Sequence, residues 1–202
     1  MDRKILFVGL GSFLVVGIVA VWAIFFGKPA SFIGSTYAEP YPPAPEFALT
    51  RSDGSSFQLS EMRGRTVLLF FGYTSCPDVC PTTLGELNQA MKQLGDNADK
   101  VQVVFVTVDP GRDTPERIQE YVNHFNPDFI GLSGTEEELT PIWNNYGVYR
   151  EIVEGTSALG YLVNHTARVT LIDSNGNLRI SFSFEMPVDD IVHDLKLILK
   201  EG

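Results

Sequence analysis

Along this chain, continuous runs of hydrophobic residues alternate with segments in which hydrophobic residues recur at helical spacing. This alternation predicts an α/β domain. Residues 66–71 and 101–108 are continuous apolar runs, typical of central strands that are covered on both faces. Between them, Pro81 is a suitable first-turn residue for a helix. The apolar stripe of that helix repeats at helical spacing and consists of Leu84, Leu87, Met91 and Leu94. We interpret Met91 as a core residue of this stripe.

The second half of the chain adds further helices and a hairpin. Thr114 and Pro115 predict one helix start, and Thr135 with Glu138 forms the capping box of another. Residues 166–172 and 178–184 read as two strands around the turn 174–177, and a last helix starts at Pro187. Short strands are also expected at 47–50 and 57–59. This order predicts a mixed central sheet flanked by helices on both faces, which is the outline of a thioredoxin-like fold.

The N-terminal region predicts a membrane anchor followed by a tether. Residues 5–26 contain no charged side chain, and that length is enough to cross a bilayer. An uncleaved transmembrane helix at 1–26 fits better than a cleaved signal peptide, because no clear cleavage site follows. Arg3 and Lys4 place the N-terminus in the cytoplasm. A proline-rich extended tether at 27–45 then leads to a domain at 46–202, which we expect on the periplasmic side of a bacterial inner membrane.

Composition limits the class of partner. The 202 residues include 25 acidic and 15 basic side chains, a formal net charge of −10. Such an acidic protein repels a phosphate backbone, so we expect no nucleic acid partner. Only two cysteines are present, Cys76 and Cys80, whereas a disulfide-built scaffold uses more. These two cysteines therefore suggest a site.

Cys76 and Cys80 stand between a buried strand and the predicted helix start at Pro81. A disulfide here would close a loop of five residues and stabilise the fold by roughly 2 kcal/mol at best, so a purely structural bridge is the weaker reading. A helix N-terminus favours the thiolate, which is both a nucleophile and a metal ligand, although Asp78 opposes that effect. The pair is therefore predicted to be redox-active, with a disulfide as its oxidised form, or to bind a metal ion.

Copper is the metal that two thiolates and one imidazole suit best, whereas structural zinc normally takes four protein ligands. The chain has three histidines. His124 and His193 lie in predicted helices and read as ordinary polar side chains. His165 stands at the entry to a strand, after a stretch at 154–160 that reads as flexible, and it is the candidate third ligand.

Three motifs, in this order, resemble the Sco/SenC family: residues 72–81 around the cysteines, residues 108–115, and Asn164-His165-Thr166 followed by 171–173. The resemblance runs from about Tyr41 to the C-terminus. It implies a thioredoxin fold that binds copper (Cu⁺ or Cu²⁺) through Cys76, Cys80 and His165. It further implies a metallochaperone that assists assembly of the copper centre of cytochrome c oxidase, with an oxidase subunit or another thiol protein as partner.

Asn164 departs from the family pattern, which usually has Asp before the histidine. The amide removes a negative charge beside the metal-binding loop, which we expect to alter partner recognition or the hydrogen bonding of the histidine. In the motif 108–115, Asp113 and Thr114 are expected to cap a helix. Asp109, at the end of a strand that points toward the site, is a candidate for supporting the ligands.

Two other functions use the same cysteines. A thiol–disulfide oxidoreductase without metal delivery would cycle Cys76 and Cys80 between dithiol and disulfide, and it would not need His165. Residues 78–82 superficially resemble a peroxiredoxin active site. That chemistry wants a hydroxyl residue three positions before the reactive cysteine, and Pro77 occupies that position for Cys80. A peroxidase is therefore disfavoured.

Overall fold

The computed structural model describes residues 31–157 and 160–201. The predicted membrane anchor at 1–26 lies outside these residues. Within the described ranges, no helix has both the length and the apolar character that a membrane crossing needs. Residues 32–202 form one compact unit.

Ten strands and four α-helices make up this unit. The strands are β1 (Ser35–Thr36), β2 (Ala48–Thr50), β3 (Ser56–Gln58), β4 (Thr66–Gly72), β5 (Val101–Thr107), β6 (Ile130–Leu132), β7 (Arg150–Ser157), β8 (Gly160–His165), β9 (Arg168–Ile172) and β10 (Leu178–Ser183). The helices are α1 (Val79–Leu94), α2 (Pro115–Asn123), α3 (Glu136–Asn145) and α4 (Val188–Glu201), and short 3₁₀ helices cover Leu59–Met62 and Gly95–Lys100.

Six strands form the central sheet in the order β1-β10-β9-β4-β5-β6. β4, β5 and β6 are parallel, whereas β9 pairs antiparallel with both β4 and β10. All seven residues of β4 and of β5 are buried, which agrees with the two continuous apolar runs. The sheet is therefore mixed, as the sequence predicts.

Both faces of the sheet are covered. On one face, Phe70 packs on Phe105, whose ring lies 6.0 Å from Tyr121 of α2. On the other face, Phe71 contacts Tyr146, the residue that follows α3. α1 and α4 pack against each other. This α/β arrangement, with a mixed sheet and helices on both sides, is the thioredoxin-like fold that the pattern predicts.

Most predicted helix starts are confirmed. Thr114 caps α2 with Pro115 in its first turn, and Thr135 and Glu138 form the predicted capping box of α3. Helix α1 begins at Val79, two residues before the predicted Pro81. Met91 is 7% exposed and belongs to the hydrophobic core, as expected.

The sequence did not predict the two strands that lie around the stretch 154–160 in the described residues. Where the sequence reads as a flexible stretch leading to a strand at 166, the structure has a separate two-stranded hairpin of β7 and β8. His165 ends β8, and β9 starts only at Arg168. Gly155, Thr156 and Gly160 obscure the alternating pattern that normally indicates a strand. We call β7 and β8 the histidine hairpin.

Part of the predicted tether lies along the central sheet. Ser35 and Thr36 pair with Ser181 and Ile180 of β10. The carboxylate of Asp194, a fully buried residue of α4, accepts hydrogen bonds from the backbone N–H groups of Ile33 and Gly34. The described segment 33–45 is thus attached to β10 and α4.

Candidate metal centre

Cys76 and Cys80 lie at the carboxyl end of the central strand β4. We call residues 73–78, between β4 and α1, the thiol loop. Both cysteines are free thiols; Cys76 is half-buried, whereas Cys80, in the first turn of α1, is fully buried. The backbone N–H of Cys80 donates to Cys76 Sγ over 3.4 Å. The helix N-terminus therefore contributes a donor to the more exposed sulfur.

Hydrogen bonding lowers the pKa of Cys76 from its ordinary 9.0 to about 4. The main cause is a hydrogen bond with the Cys80 thiol; a hydrogen bond with His165 adds to it, while burial opposes it. Burial raises the pKa of Cys80, and the neighbouring Cys76 adds to that rise. One sulfur is thus a thiolate at neutral pH, while the other keeps its proton until a cation arrives.

His165 meets the two sulfurs from the histidine hairpin, 85 residues further along the chain than Cys80. Its Nε2 lies 3.5 Å from Cys80 Sγ, and its Nδ1 lies 3.1 Å from the carbonyl oxygen of Thr166. Because a carbonyl only accepts, Nδ1 is the protonated nitrogen when this hydrogen bond forms. Nε2 therefore faces the sulfurs, where it donates to the Cys76 thiolate while it carries a proton and offers its lone pair to a metal ion once that proton is lost.

The three predicted ligands come together. One ligand atom of Cys76, one of Cys80 and one of His165 lie within 4.8 Å of one another. The described ranges contain no other group of three or more Cys, His, Asp or Glu residues that could hold a metal ion. Metal–ligand bonds of roughly 2.0–2.3 Å allow two donors of one ion to stand at most about 4.6 Å apart. A small movement of the hairpin or the thiol loop would therefore close the group around one ion.

The other two histidines lie elsewhere. His124 follows α2, is exposed, and places its Nδ1 2.8 Å from the carbonyl oxygen of Glu120. His193 is an exposed residue of α4. Neither belongs to the group of potential ligands found in the described residues.

Aromatic side chains form the wall behind the group. Tyr73, 2% exposed, presents its ring edge-on to the imidazole of His165 at 5.7 Å between centroids. Phe70 lies 6.5 Å from the same ring. Tyr73 is not among the site residues predicted from the sequence, because an aromatic residue that follows a buried strand is normally a core residue. The one feature of the sequence that could have indicated a role for Tyr73 in the site is its position three residues before Cys76.

Residues 35–200 match the SCO1/SenC family. The chain belongs to this family. A SCO2-like protein of Rickettsia felis is 35% identical over 152 residues, covering 75% of this chain and 74% of the relative. This agrees with the resemblance that the three motifs indicate.

Solved Sco structures share the fold. Bradyrhizobium japonicum ScoI with copper bound has a TM-score of 0.70 and 36% identity, covering 77% of this chain and 99% of that one. Apo Sco1 from Thermus thermophilus has a TM-score of 0.74 and 37% identity, covering 83% of this chain and 97% of that one. Copper is thus bound by a relative of this fold, and the present SCO1/SenC chain has a Cys-Cys-His group.

Proposed function

We propose that this chain binds copper through Cys76, Cys80 and His165 and passes it to the copper centre of cytochrome c oxidase. The observation that supports this most directly is the convergence of two sulfurs and one imidazole nitrogen within 4.8 Å. Two soft thiolates select Cu(I), and three ligands leave the ion open to a partner's donors. Family membership and the copper-bound relative support the same conclusion.

The geometry suggests an order for copper entry. Cys76 is the more exposed sulfur and is a thiolate at neutral pH, so it meets the incoming ion first. The approach of the cation then favours loss of the proton from Cys80, which burial otherwise retains. His165 completes the set with the lone pair of Nε2. Release follows the reverse order as donors of the acceptor replace these ligands.

Copper stoichiometry and affinity of the full-length chain in detergent test this proposal. The reduced chain should bind one copper ion and the oxidised chain none, because a disulfide has no thiolate to offer. His165→Ala should lower the affinity for Cu(I) roughly 10-fold or more in competition with a Cu(I) chelator, whereas His124→Ala, the matched control, should not change it. Unchanged affinity in His165→Ala would exclude the three-ligand site.

Delivery needs its own measurement. The copper-loaded chain, mixed with the reduced, copper-free copper domain of an oxidase, should transfer its ion, and Cys76→Ser should not. If the loaded chain keeps its copper in the presence of an excess of that domain, the acceptor is a different protein.

The low pKa of Cys76 favours thiol–disulfide exchange as a second function. Its thiolate would attack a partner disulfide, releasing one partner thiolate; Cys80 would then give its proton to that thiolate and attack the mixed disulfide, releasing the second. The partner is reduced and the Cys76–Cys80 disulfide forms. His165→Ala should retain most of the reductase activity, because this reaction uses no third ligand and the hydrogen bond with Cys80 remains the main cause of the low pKa of Cys76. Activity that is lost in His165→Ala would argue against a redox role independent of the metal site.

The membrane anchor at 1–26 and the periplasmic location remain predictions from the sequence. They would place the copper site outside the cytoplasm, on the side where an exported acceptor is found. Fractionation of cells that express the full chain, with protease added to intact spheroplasts, tests the location of the domain.

A further inference from the structure

Asp113 connects the thiol loop to the start of α2. It is fully buried, and its carboxylate accepts hydrogen bonds from the backbone N–H and the hydroxyl of Thr74, at 3.1 and 2.6 Å. The hydroxyl of Thr107, at the end of β5, donates to the same carboxylate at 2.7 Å. Of the two predicted caps, Asp113 and Thr114, it is Thr114 that caps α2. Asp113 instead fixes the backbone two residues before Cys76.

Asp109 makes a corresponding connection to the histidine hairpin. It is 1% exposed, and its carboxylate accepts from the hydroxyl of Tyr161 at 2.6 Å and from Nε of Arg112 at 2.5 Å. Nη1 of Arg112 donates to the carbonyl oxygen of Tyr161, and its guanidinium lies 3.8 Å above the tyrosine ring. Tyr161 belongs to β8, four residues before His165. Three different contacts thus hold this strand.

The two connections share an atom. The hydroxyl of Thr107, which donates to Asp113, also accepts from the backbone N–H of Asp109 at 2.8 Å. Tyr73 adds a direct link between the two ligand-bearing segments, because its hydroxyl accepts from the backbone N–H of Val163 at 3.2 Å. A continuous network therefore runs from the thiol loop, through residues 107–113, to the strand that ends at His165.

We propose that the segment 107–113 positions the copper ligands. Asp113 fixes the thiol loop, and Asp109 with Arg112 fixes Tyr161 and thereby β8, so that this one segment sets the distance from the sulfurs to His165. The inference rests on the proposed function and deepens it. Residues that orient metal ligands typically contribute 10- to 100-fold in metal affinity. Charged acceptors make the hydrogen bonds of this network stronger than neutral ones.

Two conservative variants test the two connections, one from Asp109 to β8 and one from Asp113 to the thiol loop. Tyr161→Phe removes the hydroxyl that donates to Asp109 and keeps the ring beneath Arg112. Thr74→Val removes the hydroxyl that donates to Asp113 and keeps the side-chain shape. Each has a matched control outside the network: Tyr149→Phe, whose hydroxyl donates to Glu151, and Thr140→Val, whose hydroxyl donates to the carbonyl oxygen of Glu136.

The first readout uses no copper. In the reduced apo chain, the Tyr161→Phe change should raise the hydrogen-exchange rate of the Val163 N–H about 10-fold, and Thr74→Val should do the same for the Cys76 N–H. The second readout is the affinity for Cu(I), which should fall roughly 10-fold in both variants. The sulfur-to-copper charge-transfer band of the Cu(II) form should shift as well.

The outcomes separate the two proposals. Faster local exchange and weaker copper binding in both variants, with both controls like wild type, support the positioning role. Unchanged exchange and affinity overturn it, as does an equal loss in the controls. If the wild-type chain binds no copper, the proposed function fails. The exchange rates of the variants then test separately whether the network holds the thiol loop and β8 in place. Rates equal to those of wild type would overturn this positioning role too.

Discussion

Gly72 is the last residue of β4, and its missing side chain leaves the space that the Cys80 thiol occupies. A Cβ at this position would lie 2.7 Å from Cys80 Sγ and 2.6 Å from the ring of Phe105. Both distances are shorter than real carbon contacts allow. The buried sulfur therefore depends on a glycine that is not itself a ligand.

Gly72→Ala should displace the Cys80 sulfur or the Phe105 ring. Overpacking of a buried site costs typically about 1–3 kcal/mol, and we expect the free energy of unfolding to fall by that amount. Copper affinity should also fall, because one ligand moves. Denaturant unfolding and chelator competition measure the two effects. Gly85→Ala is the control, since no heavy atom beyond the adjacent residues and the backbone of its own helix lies within 4 Å of a Cβ built there. Wild-type copper affinity in Gly72→Ala would contradict the packing argument.

The pKa of Cys76 leads to a prediction about pH. Iodoacetamide reacts with thiolates, so Cys76 of the reduced apo chain should be alkylated at pH 6 while Cys80 is not. The midpoint of the alkylation rate of Cys76 should lie near pH 4, as opposed to its ordinary value of 9.0. Mass spectrometry of the labelled peptides at a series of pH values measures this. A midpoint near pH 9 would mean that the hydrogen bonds to Cys76 are absent.

The same shift links Cys76 to folding stability. Because its pKa is lower in the folded than in the unfolded chain, the thiolate stabilises the fold in full above pH 9. That contribution decreases as the pH falls and is lost below about pH 4. Relative to wild type, Cys76→Ser should thus be more destabilised at pH 8 than at pH 5.

The histidine hairpin stands apart from the central sheet and is held at its base. Nε of Arg150 donates to the carbonyl oxygen of Val108, and its Nη1 forms an ion pair with Glu136 of α3 at 2.9 Å. The guanidinium also lies 4.8 Å above the ring of Trp143. Within the hairpin, Asn164 is paired with Glu151, and its amide lies 3.4 Å from that carboxylate.

This pairing gives a physical reason for Asn164. Asn164→Asp would put two carboxylates directly opposite each other, and like charges in a cross-strand pair destabilise the hairpin. Hydrogen exchange of hairpin amides should become faster at pH 7 and return to the wild-type rate in the double variant Glu151→Gln, Asn164→Asp. Thermal unfolding of the whole domain should change little. Slower exchange in Asn164→Asp would contradict the assignment of Glu151 as its opposing charge.

The elements differ in how well the sequence predicts them. The strands β4 and β5 and the helices α2 and α3 were predictable, because unbroken apolar runs and capping residues are local signals. The histidine hairpin was not, since glycines interrupt its pattern and its support comes from residues such as Asp109 and Arg150. The cysteines and His165 were found from chemistry and resemblance. The hydrogen-bond partners of Asp113 could not be predicted from local patterns, because Thr74 lies 39 residues away from it along the chain.

At the scale of the whole molecule, the N-terminal segment is fixed by charged groups. Arg179 of β10 forms an ion pair with Asp173, and another with Glu201 of α4. Its guanidinium lies 4.0 Å above the ring of Tyr41 and 5.9 Å from that of Phe32. Together with Asp194, these contacts join the segment to the face of the fold that α4 covers.

Asp194→Asn should loosen this attachment. The amide offers one acceptor oxygen where the carboxylate offers two, and losing a hydrogen bond to a charged group costs about 1.5–3 kcal/mol. We expect faster proteolysis of residues 31–45 and a lower melting temperature, with unchanged affinity for copper. Asp190→Asn is the control, because Asp190 is a half-buried residue in the first turn of the same helix. Loss of copper binding in Asp194→Asn would show that the segment also acts on the site.

The course of residues 35–44 along β10 has a consequence for solubility. β10 would otherwise be an outer strand with free backbone N–H and C=O groups, which recruit strands of other molecules. Backbone contacts of Thr36, Tyr37 and Pro42 cover part of this outer edge, and Pro40, Pro42 and Pro43 have no N–H group that could continue the hydrogen-bond ladder outward. A protein shortened to begin at Glu46 would therefore be expected to self-associate through β10, even with its metal ligands intact.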